Sequence, residues 1–244
     1  MQPLDQHAML AIPNHDETCR QDFVNDFRLH LSNEVAPGCH PTYRNRVLPE
    51  FMKEHGREPK DHNEVRRIMT KDPYYQMWSA MQRSSQEMIW DSVADTVERQ
   101  LPQLIEKAKQ PGKKGSLTLD PDLEIPRYLT AKDIHLQPGA YHTDSTADDV
   151  AAGAVYDHGT YIYSMGGLGP GNNGLGQLAF EFFKNAFPDK KLERVLDMGC
   201  TIGGSVVYWA QQMPDVEFHA IDAGAPVLRY GHARAESLGV AVHF

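Results

Sequence analysis

At 244 residues, of which 41% are hydrophobic and 23% charged, the chain can bury one good core or two modest ones. A net charge of −9 and a pI near 5.7 argue against a nucleic-acid partner, since a phosphate backbone needs a basic face. Cys19, Cys39 and Cys200 are too few and too scattered for a disulfide framework, and no C-x-x-C or H-E-x-x-H spacing points to a metal.

Residues 1–15 read as a loose leader with two prolines and no basic-then-apolar signal. From Asp16 the pattern is helical, with Phe23, Phe27, Leu31 and Val35 four apart. Asn14 or Asp16 can cap that helix, and Pro37-Gly38 is expected to end it. Tyr43, Val47, Phe51 and Met52 predict a second helix stopped by Gly56, kinked or started by Pro49. A polar linker over residues 57–63 leads to a short helix over 64–70.

Asp72-Pro73 then opens the longest periodic segment. Tyr74, Trp78, Met81, Ser85, Met88 and Val93 form one stripe that continues to Val97 and Leu101, with Pro102 expected to interrupt it. Such a stripe reads as helix-packing core rather than a cofactor box. Residues 110–115, with Pro111, Gly112 and Gly115, mark a boundary. Residues 1–115 therefore read as a helical N-terminal region, suited to a cap or a dimer contact.

Residues 116–177 read as an irregular, glycine-rich connection. Apolar residues from Leu117 to Ile134 are broken by Pro121, Pro126 and Pro138. Tyr156, His158, Tyr161 and Tyr163 stand close together, followed by six glycines from Gly166 to Gly176. That glycine stretch is either a ligand-approaching lid or a plain connector. Leu178, Phe182, Phe183 and Phe187 then predict an amphipathic helix ended by Pro188.

Residues 194–222 organise the rest. Val195, Leu196 and Met198 form a short apolar run, as in a buried parallel strand. The run stops at Gly199, with Gly203 and Gly204 following. Val206, Ala210 and Met213 recur at helical spacing, and Val216, Phe218 and Ala220 alternate as a second strand. Asp222 closes that strand, 19 residues after Gly203. The unit is a βαβ crossover with a glycine turn at the carboxyl end of its first strand, where open α/β sheets bind ligands. A further helix runs from about Ala225 to Gly239, and residues 240–244 begin a third strand.

The run Asp197-x-Gly199-x-Thr201-x-Gly203 resembles motif I of the class I (Rossmann-fold) S-adenosylmethionine-dependent methyltransferases, commonly D/E-x-G-x-G-x-G. Thr201 stands where the family most often has its middle glycine. A β-branched residue resists positive φ, so the turn is expected to hold Thr201 in an ordinary region. The resemblance covers residues 192–244. It implies an α/β chain in which a helical N-terminal region precedes the first half of a Rossmann-like class I methyltransferase domain at 178–244. By that resemblance Asp197, Gly199, Cys200, Thr201 and Gly203 line S-adenosylmethionine, and Asp222 binds its ribose hydroxyls. A small-molecule acceptor is implied by the acidic charge. Candidate bases are His135, His142 and His158, with Tyr156, Tyr161 and Tyr163 as positioning groups.

Two rivals stand beside this reading. Asp222 also suits the ribose of NAD in an oxidoreductase, against which stand the acid at Asp197 and the missing third glycine of G-x-G-x-x-G. A truncated homologue acting as a partner subunit is the non-catalytic alternative. In the family a fourth strand lies beside strand one. Without it, residues 1–244 are expected to transfer no methyl group and to bind S-adenosylmethionine weakly or not at all. They are expected to hide the open edge by forming a homo-oligomer or by folding helices 1–115 over it. No stretch reaches the apolar length of a transmembrane helix, and a cytoplasmic location is the default.

Overall fold

The computed structural model describes residues 4, 6–110 and 112–244. Residues 1–3 and 5 of the expected leader, and Pro111 of the expected boundary, lie outside the described residues.

Asn14 is the first cap. Its Oδ1 accepts from the Glu17 N–H at 2.9 Å, and Glu17 Oε2 accepts from the Asn14 N–H at 2.8 Å. This reciprocal box starts α1, His15–His30. Pro37-Gly38 does not end the helical path. Gly38 keeps φ −64 and ψ −17, and the chain stays helical to α2, Leu48–His55. A π turn stands before Pro37, at Leu31–Val35, and another before Pro49, at Tyr43–Val47, with Pro41 in the helical turn between them. The wider turn is how the path absorbs the proline N–H that is missing. Gly56 is the stop, at φ +67. Asp61 caps α3, His62–Met69, and Asp72 caps α4, Pro73–Lys109. Pro102 lies inside α4 without breaking it. It is exposed, so water can satisfy the carbonyl its missing N–H leaves.

The chain forms two compact units, one of Asp22–Met88 and one of Met1–Gln21 with Ile89–Phe244, so residues 1–115 are shared between them. The first is helical. Within it Arg46 grips Asp72 at 2.7 and 2.8 Å, and Arg57 grips Glu64 at 2.8 and 2.9 Å.

The second unit is mixed, roughly α/β, with helices around a small parallel sheet. From Ile89 onward α4 buries Ile89, Val93, Val97 and Leu104, the core role its stripe predicts. The described leader is not loose. Met9, Leu10 and Ala11 are buried, and Lys107 Nζ donates to the Ala8 carbonyl at 2.7 Å.

A helix stands where a connector is expected. α5 spans Ala151–Tyr163. Gly153 and Gly159 weaken its sequence signal, and packing explains both. A Cβ on Gly153 would lie 2.4 Å from the Tyr230 Cβ, and one on Gly159 would lie 2.5 Å from the Trp90 ring. α6 spans Gly174–Ala186, but its buried face is Gly176 and Phe180, whereas Leu178, Phe182 and Phe187 are exposed. Its partner is α7, Gly204–Gln212. Phe180 meets Trp209 at 5.3 Å, and Trp209 Nε1 donates to the Gly176 carbonyl at 2.9 Å.

β1, Arg194–Met198, and β2, Glu217–Ile221, pair in parallel from Arg194 opposite Glu217 to Met198 opposite Ile221. The third strand is reduced to a bridge between His219 and His243. Residues 116–118 pair with its far side through Thr118 N–H to Phe244 O at 2.9 Å and Phe244 N–H to Ser116 O at 2.9 Å. Part of the expected connector thus belongs to the sheet.

β1 is not a buried strand. Leu196 and Met198 are 54% and 74% exposed. The opposite is true of α8, Ala225–Ser237, which is buried on nearly every side. Its Tyr230 and Arg234 close around Asp157 of α5. Tyr230 donates to Asp157 Oδ2 at 2.9 Å, His7 Nε2 lies 3.0 Å from the same oxygen, and Arg234 Nε lies at 3.3 Å. Asn172 Nδ2 donates to Asp157 Oδ1 at 3.1 Å, and Arg234 donates to the Gly171 carbonyl. These bonds fix the end of the glycine stretch and support the connector reading over the lid. Gly176 serves the same end, since a Cβ there would lie 2.7 Å from the Ser205 backbone.

Among the described residues, no helix is long and apolar enough to cross a membrane.

Candidate functional site

The turn from Gly199 to Gly203 joins β1 to α7. Gly199 and Gly203 take φ +76 and +74, values that glycine adopts at no steric cost. Thr201 does not stay in an ordinary region. It sits at φ +49, a conformation that costs a non-glycine residue about 1–3 kcal/mol. Its own bonds hold it there. The Thr201 N–H donates to Asp222 Oδ2 at 2.9 Å, and Oγ1 donates to the Cys200 carbonyl at 2.7 Å.

Asp222 therefore has a structural task. It ties the turn to the end of β2 and also accepts from the Gly224 N–H at 2.9 Å. An ionised carboxylate offers about four acceptor positions, so two such bonds leave room for a ligand. Asp197 is turned to another use. Its carboxylate lies by the first turn of α7, where the Val206 backbone N–H favours the negative charge. Burial pushes its pKa up, the Val206 bond opposes this, and the charge of Asp222 adds to the rise.

A cavity of about 540 Å³ opens at the carboxyl ends of β1 and β2. Its floor holds Gly199, Thr201, Ile221, Asp222 and Gly224. Its roof comes from the proline-broken stretch, with Leu123, Tyr128, Leu129, Ile134, Tyr141 and His142. Around Gly199 there is open space: a Cβ placed there meets nothing within 4 Å. A second cavity of about 580 Å³ adjoins it and shares Leu123, His142, Ile221, Asp222 and Ala223. Both volumes suit a small-molecule ligand.

Of the residues singled out in the sequence, Gly199, Thr201, Asp222 and His142 meet at this cavity. Asp197, Cys200 and Gly203 do not line it. Cys200 is part of the core beneath the turn, and Gly203 faces Phe244, whose ring would lie 2.9 Å from a Cβ there. His135 is exposed beside the roof, its Nδ1 bonded to the Tyr141 hydroxyl and its carbonyl accepting from Trp90 Nε1 at 2.8 Å. α5 places Tyr156 and Tyr163 on one side and the buried His158 and Tyr161 on the other, none of them in the cavity lining. Tyr156 packs edge-on against Tyr141 at 5.4 Å, Tyr161 is buried and Tyr163 is exposed. Burial lowers the His158 pKa, against Asp157, the Ala11 backbone and Glu17, which raise it.

Tyr141 is the residue the sequence reading passed over. Burial pushes its phenol up, with Tyr156 and Asp222 adding to the rise, so it is a neutral donor and acceptor at neutral pH. The signal for the rest of the roof was the apolar content of residues 117–134, which needs a surface to cover even though prolines break its period.

Elsewhere, a groove of about 760 Å³ in the Asp22–Met88 unit has mixed charge, and Asp72 and Glu64 on its wall are held by Arg46 and Arg57. It offers no convergent set of free groups. Among the described residues, no cluster of three His, Cys, Asp or Glu side chains is placed to hold a metal ion.

Comparison with family models, with curated proteins and with solved structures finds no match to this chain.

Proposed function

We propose that this chain binds S-adenosylmethionine through its Rossmann-like βαβ unit and serves methyl transfer to a small-molecule acceptor. One observation carries the reading: the left-handed glycine turn after β1 and the acid after β2 line a single cavity at the carboxyl ends of a parallel pair. Gly199 leaves its backbone bare for a ligand to approach. Asp222 retains acceptor positions for the ribose hydroxyls. Leu123, Leu129 and Ile134 of the roof give the space above the turn an apolar wall.

S-adenosylmethionine supplies an electrophilic methyl group when bound. The residues of this chain supply placement, and alignment alone is worth about 7–11 kcal/mol of barrier. Tyr141, at the roof, is the polar group that suits orientation of an acceptor.

Calorimetric titration of the chain with S-adenosylmethionine, S-adenosylhomocysteine and NAD tests the reading. The two adenosyl compounds are expected to bind, and Asp222→Ala is expected to lose about 1.5–3 kcal/mol of that affinity. Binding of NAD alone would move the chain to the oxidoreductases. Binding of none of the three would remove the cofactor assignment.

A further inference from the structure

His142 stands at the junction of the two cavities and lines both. Its Nε2 is buried and has no hydrogen-bond partner. Its Nδ1 lies 3.2 Å from the Thr143 hydroxyl, so only Nε2 is left to serve a ligand. A buried polar atom without a partner is costly, and such atoms in native structures call for an explanation.

The surroundings say what the partner is. Asp222 is shared by the same two cavities, so an acceptor-only carboxylate and an imidazole edge form a polar waist. Away from that waist the first cavity is mainly apolar, with Leu129 and Ile134, whereas the second sets Asp120, Asp144 and Arg229 beside Leu119, Ile125 and Phe244. A molecule that fits has an apolar end in the first cavity and a polar centre at the waist. The Thr143 hydroxyl can donate to Nδ1 or accept from it, so Nε2 can present either a proton or a lone pair. A hydroxyl satisfies both cases, since it donates and accepts.

We propose that His142 is a ligand-binding residue whose Nε2 hydrogen-bonds a sugar hydroxyl of a bound nucleoside, with Asp222 accepting from the sugar diol. This rests on the nucleoside-cofactor reading above and adds a residue to it from outside the glycine turn. The roof thereby senses the sugar, and binding fastens residues 123–142 over the sheet ends.

The test is calorimetry on the full chain with adenosine and its dideoxy analogue, together with nitrogen NMR of the imidazole rings. His142→Ala is expected to weaken adenosine about tenfold and to leave the dideoxy analogue unchanged, with His142→Gln recovering part of the loss. Saturating adenosine is expected to shift the Nε2 resonance of His142 in the wild-type chain, a readout that needs no variant to fold. Equal adenosine affinity in wild type and His142→Ala, or an unmoved Nε2 at saturation, would overturn the role of His142. In that case the Asp222→Ala loss would persist and the cofactor reading would stand. A wild-type chain that binds no nucleoside would overturn both.

Discussion

The two sides of the β1–β2 pair differ sharply. On one face, with α7 packed on it, Phe218, Ala220 and Val242 are 1%, 0% and 0% exposed, and α8 is enclosed on nearly every side. On the other face Leu196, Met198 and Ile221 stand open. Both sides are written in the same apolar residues. Hydrophobic composition thus marks what is suited to burial, while packing decides what is buried. A parallel pair ordinarily has both faces covered, and this one does so on the closed side only.

Substitutions can break or sharpen this contrast. The largest effect is expected at Asp157→Asn, which leaves Arg234 as a buried charge without its counter-ion. The expected loss is about 3–5 kcal/mol in urea unfolding. Burial alone would raise the Asp157 pKa, but Arg234, His7 and Asn172 more than reverse this and hold it well below its ordinary 3.8. With the folded value depressed, the stabilisation is complete above about pH 4 and is lost as pH falls further. The wild-type melting temperature should fall in that acid range more steeply than that of Asp157→Asn.

Phe218→Ala, on the closed side, is expected to cost about 3–5 kcal/mol through lost burial and the cavity left behind. Gly153→Ala is expected to cost about 1–3 kcal/mol by pressing α5 off Tyr230. If it melts like wild type, the close approach of α5 and α8 is not a determinant of stability. The smallest effect is expected on the open side. Leu196→Gln with Met198→Gln should change stability by no more than about 0.5 kcal/mol. A loss near that of Phe218→Ala would mean that the open side is covered in solution.

Much of the βαβ path was legible because its punctuation is local. Gly199, Gly203, Pro214 and Asp222 each act on the backbone beside them, and the turn, helix and strand ends follow. Asn14, Asp72, Gly56 and Gly239 marked helix ends for the same reason. What was not legible depends on partners distant in sequence. Gly153 and Gly159 lie in a helix absent from the sequence reading, and each meets an aromatic residue of another helix, Tyr230 or Trp90. Pro37 and Pro102 read as stops, yet π turns and solvent let the helical path continue. Thr201 read as a residue that avoids positive φ, but Asp222 holds its N–H from the end of the next strand. The site divided in the same way: its floor was visible in the spacing of glycines and acid, whereas its roof, Tyr141 above all, comes from a stretch with no period.

Cys200 turns the glycine turn into a clock. Its thiol is 5% exposed and bonds to the Thr201 carbonyl at 3.6 Å. Burial pushes its pKa up, and the charges of Asp222 and Asp197 push it further. Only a thiolate reacts readily with alkylating reagents, so Cys200 is inert while the turn is closed. Cys19 is exposed and serves as the fast reference in the same chain. The rate at which Cys200 is labelled then measures how often the Gly199–Gly203 turn opens, and hence the free energy of that local opening. A ligand seated on the turn slows the clock in proportion to its occupancy.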